Sequence, residues 1–186
     1  MEKKTKVLVI AKGKAAKFSI KSVKAVVNGT SSLHDWESKV TKLDGKGTFE
    51  TTDNMLTAIK DVEINILVKG IKSKEGKKMD NKTYETFKSD KNPNITYTFK
   101  SAVVKTDASH NVTIEATGKL SMAGATQSVS LSATGKELAN GDLQLAVSKK
   151  IKMTDYNMEP PVMMLGTIKV GDEITVSFDF VLAKLK

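Results

Sequence analysis

An all-β fold follows from three features of this sequence: long runs in which apolar and polar residues alternate, turn signals between those runs, and little helical spacing. Period-two alternation gives a strand one buried and one wet face. Val62, Ile64, Ile66 and Val68 alternate with Glu63 and Asn65, Leu67 being the exception. Ile95, Tyr97 and Phe99 follow the same rule, as do Val112, Ile114, Ala116, Gly118 and Leu120. So do Val129, Leu131 and Ala133, then Leu143, Leu145 and Val147, and finally Ile174, Val176, Phe178, Phe180 and Leu182.

These runs predict eight strands near 17–30, 36–50, 56–69, 94–105, 111–121, 126–135, 142–152 and 172–184. Asp44-Gly45, Asp53-Asn54, Ala123-Gly124, Asn140-Gly141-Asp142 and Gly171-Asp172 read as turns. Short connections imply antiparallel neighbours, with hairpins pairing 111–121 with 125–135 and 129–135 with 142–152. Two stretches break the pattern. Residues 75–90 carry Met79, Tyr84 and Phe87 at helical spacing and predict one short helix. Residues 153–168 hold two of the three prolines and four of the eight methionines, and read as a long Met/Pro-rich loop with one helical turn. Strands longer than the common length of about 5–6 residues favour a tall antiparallel barrel over a two-sheet sandwich. The inward residues are mixed in size, with Ala116, Gly118, Ala133 and Ala146 among larger ones, which leaves room inside.

The chain has 186 residues, 39% of them hydrophobic, a length suited to one domain with a sizeable core. It has no cysteine, which excludes disulfides, thiolate metal sites and thiol nucleophiles. The net charge is +9, and every basic residue is lysine. The absence of arginine, whose rigid fork reads phosphates and guanine edges, argues against specific nucleic-acid binding. Residues 1–17 contribute +5 of the charge. Their apolar run, Val7 to Ala11, is interrupted by Lys12 and falls short of the roughly 7–15 residues of a secretory core. The reading is a basic appendage, degenerate leader or extra strand over 1–17, and a single β domain over 18–186.

Chemistry-bearing motifs are sparse. His34-Asp35-Trp36 invites a catalytic reading, but neighbours on an extended chain point to opposite faces and do not make the contact that orients a catalytic imidazole. No nucleophile elbow accompanies it. His34 and His110 are the only imidazoles, with no zinc or calcium pattern around them. Asp155 and Glu159 sit four apart in the long loop, weak evidence for acid–base work. The expectation is no metal, no cofactor and no enzyme.

Four segments, in order, resemble one family. They are "KSVKAVVNGTSSLHDWESKV" (21–40), "GKKMDNKTYETFKSDKNPNITYTFKSA" (76–102), "TGKLSMAGATQSVSLSAT" (117–134) and "KVGDEITVSFDFVLAK" (169–184). Together they are similar to the YceI-like family of bacterial lipocalin-like, polyisoprenoid-binding proteins. That resemblance implies an extended eight-stranded lipocalin-like barrel with an apolar tunnel for a long-chain lipid such as an isoprenoid quinone. It also implies periplasmic or secreted residence. The tunnel wall would include Ile64 and Ile66, then Ile95, Tyr97 and Phe99, then Ile114, Leu131 and Leu145, and finally Phe178 and Phe180. Phe87 would pack in from the helix, and Met153, Met158, Met163 and Met164 would lie near one end. Asp80 would fix a helix or turn. Trp36 would pack in the wall or rim. Many family members carry an Arg-x-x-Phe-Gly segment where this chain has "IKMTDYNMEPP" (151–161), so the headgroup site is left open.

The expected function is carriage, storage or sensing of a long-chain amphiphile. Two other classes stay open from sequence: a structural or adhesive β domain with a filled core, and a small-molecule enzyme using His34 or the Asp155–Glu159 loop. Transient contact with a membrane surface and an isologous homodimer are also left open.

Overall fold

A computed structural model describes residues 13–185 of the chain. Its strands are β1 (Lys14–Ser31), β2 (Trp36–Val40), β3 (Leu43–Thr52), β4 (Met55–Leu67), β5 (Ile71–Ser73), β6 (Asn94–Thr106), β7 (Asn111–Met122), β8 (Ala125–Glu137), β9 (Leu143–Lys152), β10 (Val162–Met163) and β11 (Ile168–Lys184). One helix, α1 (Lys77–Thr86), precedes β6, and a 3-10 turn (Met153–Tyr156) follows β9. The eight long strands pair antiparallel in the order β11-β9-β8-β7-β6-β4-β3-β1, and β11 pairs back onto β1 to close the ring. The result is a closed eight-stranded antiparallel barrel of lipocalin-like form.

The β1–β11 ladder is the longest closure, running from Phe18–Lys184 to Ser31–Val170 with two register shifts. β1 pairs with β3 only over Lys14–Ser19. Farther along, β2 takes the place beside β1, and β5 pairs with β2. The sequence reads 36–50 as one strand, but the chain breaks it at residues 41–42, where the Thr41 N–H and hydroxyl both donate to the Gly70 carbonyl. Asp44-Gly45 is therefore not a turn but lies inside β3. Gly45 serves packing instead, because a Cβ there would meet the Ile64 and Ile20 side-chain tips at 2.7 and 2.9 Å. Gly171-Asp172 likewise falls within β11. The true hairpin turns, at Asp53-Asn54 and Ala123-Gly124, use left-handed backbone at both positions, as the twist of paired strands requires.

Of the basic appendage read over 1–17, residues 1–12 lie outside the described residues. Residues 14–17 are paired in the barrel, so β1 starts at Lys14 rather than near 17. Ala15 and Ala16 carry too little hydrophobic contrast to announce a strand.

Each end of the barrel has its own packed cluster. At one end Phe18 stacks on Phe49 with ring centroids 4.4 Å apart, among Leu56, Ile59, Val112 and Leu143. At the other, α1 and the 3-10 turn bring Phe87, Met153, Tyr156 and Met158 over Val68, Ile71, Met122 and Ile174. Helix α1 is fixed by Asp80, whose carboxylate accepts the Ser73 N–H at 2.7 Å, and by Tyr84, whose hydroxyl donates to the Lys69 and Ile71 carbonyls.

The β8–β9 ladder is short. It joins 133–137 to 143–147 only, less than the 129–135 with 142–152 hairpin that the alternation predicts. Gly135 sits in this ladder where a Cβ would fall on the Gln144 carbonyl, so the two backbones approach closely there. A Gly135→Ala variant is expected to lose about 1–3 kcal/mol by forcing the strands apart, measurable by urea unfolding. Gly141→Ala is less informative, since its strain comes from a left-handed turn rather than a clash.

Candidate functional site

A barrel that filled itself would bury its inward side chains completely. Here many inward residues are buried, Tyr97 and Phe180 among them, but a set along the middle of the wall is not. Ile64, Phe99, Val129, Leu131, Val147, Val176 and Phe178 face the axis and are only half-buried. The space they leave forms two apolar chambers in line. One, of about 120 Å³, is lined by Ile66, Ile95, Leu120, Ile151, Ile174 and Val176. The other, of about 100 Å³, is lined by Phe18, Ile59, Val62, Phe99, Ile114 and Leu145. Ile64, Tyr97, Leu131, Val147 and Phe180 line both, so the chambers adjoin at that level. Each is several times the ~10–15 Å³ that one water requires, and the walls offer water almost no hydrogen-bond partner. Such a space favours an apolar occupant.

Tyr97 crosses the junction. Gly118 makes room for it, since a Cβ there would lie 2.8 Å from the phenol ring and on the Thr98 carbonyl. The hydroxyl donates to the Val129 carbonyl at 3.0 Å. Val129 pairs with Gly118 in the β7–β8 ladder, so Tyr97 reaches that rung from inside the barrel. Burial pushes the phenol up to about 12, so it stays a neutral donor at physiological pH.

A third space, of about 50 Å³, lies beneath α1 and continues from the first chamber, sharing Val27, Ile71, Phe87 and Ile174 with it. Trp36, Met79, Pro161 and Val170 form its outer wall. Trp36 is thus a rim residue; its indole N–H donates to the Thr30 carbonyl at 3.1 Å, and its ring covers Gly29.

Most residues singled out from sequence come together. Ile64, Ile66, Phe87, Ile95, Tyr97, Phe99, Ile114, Leu131, Leu145, Phe178 and Phe180 all line one or both chambers. Met153 lines the space beneath α1, and Met158 is buried in the cluster around it. Met163 and Met164 do not join them. Asn157, in left-handed conformation, turns the chain after the 3-10 turn and tucks Met158 inward. The chain then leaves the barrel, and Met164 is 71% exposed at the tip of the β10–β11 hairpin. Ala146 also faces out, because Leu145 and Val147 on either side face in. Sequence reasoning missed Phe18, Val27 and Lys149.

His34 sits in the link between β1 and β2, half-exposed, with Nδ1 2.8 Å from the Asp35 carbonyl and Nε2 4.0 Å from Glu75. It lines none of the chambers. Among the described residues no three histidine or carboxylate side chains gather as a metal site.

The 3-10 turn is pinned to β11 by Asp172, which accepts the Thr154 N–H at 2.9 Å and the Thr154 hydroxyl at 2.6 Å. The hydroxyl bond is the main cause that holds the Asp172 carboxyl below its ordinary value. A lowered folded-state pKa stabilises above the unfolded value, and that contribution is lost as pH falls through the lowered one. The difference in melting temperature between wild type and Asp172→Asn is therefore expected to be largest at neutral pH and to shrink in acid, as read by thermal scans across that range.

Comparison with known proteins places this barrel. The YceI-like domain model matches residues 11–182. No curated protein matches the chain. Among solved structures it is similar to a polyisoprenoid binding domain from Saccharophagus degradans, implicated in plant cell wall breakdown, at TM-score 0.71 and 11% identity, covering 92% of this chain and 100% of that one. It is also similar to Burkholderia cenocepacia BcnA, at TM-score 0.65 and 17% identity over 87% of this chain and 96% of that one. The Campylobacter jejuni YceI protein matches at TM-score 0.54 and 20% identity over 100% of this chain and 91% of that one. At these identities the solved structures speak for the fold, while the domain match spans nearly the whole sequence, and the chain belongs to the YceI-like family.

Proposed function

We propose that this protein is a binding protein, not an enzyme, that holds the tail of an isoprenoid or other long-chain amphiphilic lipid inside its barrel. One observation carries the reading: a closed barrel keeps its mid-wall apolar residues half-exposed to an interior that water does not favour. The family and the polyisoprenoid-binding neighbour support it. Carriage, storage or sensing of lipid in the periplasm or outside the cell fits the same family and forms part of this proposal.

The mechanism is partition. Each buried methylene is worth about 0.8 kcal/mol, which is nearly fourfold in Kd. A titration of straight-chain and prenyl alcohols of rising length, read by fluorescence of the single Trp36 at the rim, should show affinity climbing by about that factor per methylene until the chambers are full. Absence of binding, or affinity independent of tail length, would contradict the proposal. Leu131→Trp, which puts an indole where the two chambers meet, should abolish binding while the fold survives. Ser132→Trp, on the outer face of the same strand, should leave it intact.

A further inference from the structure

The barrel wall is open on one side. β8 reaches back to Ala125 and β9 on to Lys152, but their ladder ends at Ala133–Val147. Beyond that rung the strands separate around a polar cleft of about 690 Å³. The 3-10 turn closes the cleft's far end, with the Gln127 amide donating to the Asp155 carbonyl at 2.9 Å. Val129, Lys149 and Ile151 line both this cleft and the first apolar chamber. The two spaces therefore lie against one another at the gap, with these three residues between them.

Lys149 stands in that gap at a register that should be apolar. Leu143, Leu145, Val147 and Ile151 face inward along β9, and Lys149 occupies the same face, opposite the inward Val176. It is half-buried, whereas its neighbours Ser148 and Lys150 are exposed. Lys150 is engaged by Glu173 at 3.4 Å, but Lys149 makes no salt bridge among the described residues. Its carbon stem lines a chamber with almost no polar surface, so the ammonium belongs to the cleft, as long cationic side chains commonly arrange themselves. Three lysines, Lys149, Lys150 and Lys152, face two carboxylates, Asp155 and Glu173, leaving the cleft net positive.

We propose that the β8–β9 gap is the lateral exit through which the polar end of the bound amphiphile leaves the barrel. The geometry makes that end an anion, a phosphate or carboxylate, held by Lys149 with Lys152 adding positive charge at the rim. This rests on the tunnel reading above and names the ligand class within it. A tail in the first chamber then needs no polar group at the Trp36 end, and the anion meets its cation where the β8–β9 ladder has already ended.

The test compares two probes with one tail, geranylgeraniol and geranylgeranyl monophosphate, by titration calorimetry on the full chain. The phosphate ester should bind about tenfold tighter, with the advantage shrinking as salt rises. Lys149→Met, which keeps the stem's bulk, should erase that advantage, read as the ratio of ester to alcohol affinity within the variant. Inorganic phosphate alone should show no saturable binding. Equal affinities in wild type, or an advantage that Lys149→Met retains, would overturn the assignment. Saturable phosphate binding that disappears in Lys149→Met would make the cleft a free-anion site and overturn the headgroup role. If neither prenyl probe binds, the tunnel reading fails and this inference fails with it.

Discussion

The β1–β11 ladder is the constraint on which the rest of the molecule depends. An eight-stranded open sheet would present two free edges and leave each apolar face to find its own cover. Pairing β11 with β1 removes both edges and turns all eight apolar faces toward one axis. The hydrophobic effect then acts inward on a fixed circumference. Eight strands define a lumen close to the limit of what side chains fill unaided, so small differences in residue size decide between a packed core and a cavity. Aromatic stacking and long aliphatic side chains plug the Phe18 end. In the middle, Gly118 admits the Tyr97 ring, and Phe99 beside Ala116 stays only half-buried against the chamber.

The same logic explains the polar features. Most of them gather near the short β8–β9 ladder. Tyr97 donates to the Val129 carbonyl, on a β7–β8 rung past the end of that ladder. Asp172 ties the 3-10 turn onto β11, and Gln127 reaches the same turn from β8. Lys149 occupies the opening itself. A lysine at an inward register costs stability in a sealed barrel and is accommodated in one whose wall is open beside it. Closure by β1–β11 and incompleteness at β8–β9 are thus two sides of one architecture: a closed ring, and the shortest ladder within it.

Much of this was legible in the residues. The alternation in β4, β6, β7 and β11 assigns Ile64, Tyr97, Ile114 and Phe178 to the inner face without any structure, because side-chain period two is a local property of a strand. The helix at 77–86 and the turns at Asp53-Asn54 and Ala123-Gly124 are local too. What sequence leaves open is non-local. The break of 36–50 into β2 and β3 depends on hydrogen bonds from Thr41 to Gly70, far along the chain. Gly45 resembles a turn residue but serves close packing against β1 and β4. Met163 and Met164 share a composition with Met153 and Met158, yet only the left-handed Asn157 decides which pair is tucked in. Lys149 does show its signal, an interruption in the Leu143-Leu145-Val147 series, but a lysine near a strand's end reads naturally as the end of burial.

The central claim is that a lipid tail occupies the barrel interior. The most direct measurement is a crystal structure of the protein loaded with a prenyl or alkyl lipid brominated along its tail, with the bromine located by anomalous scattering. The account predicts bromine peaks on the barrel axis, between the level of Ile66 and Ile174 and that of Ile114 and Leu145, with Tyr97 beside the chain. Bromine found only on the outer surface, with the mid-wall side chains closed over the axis, would contradict it.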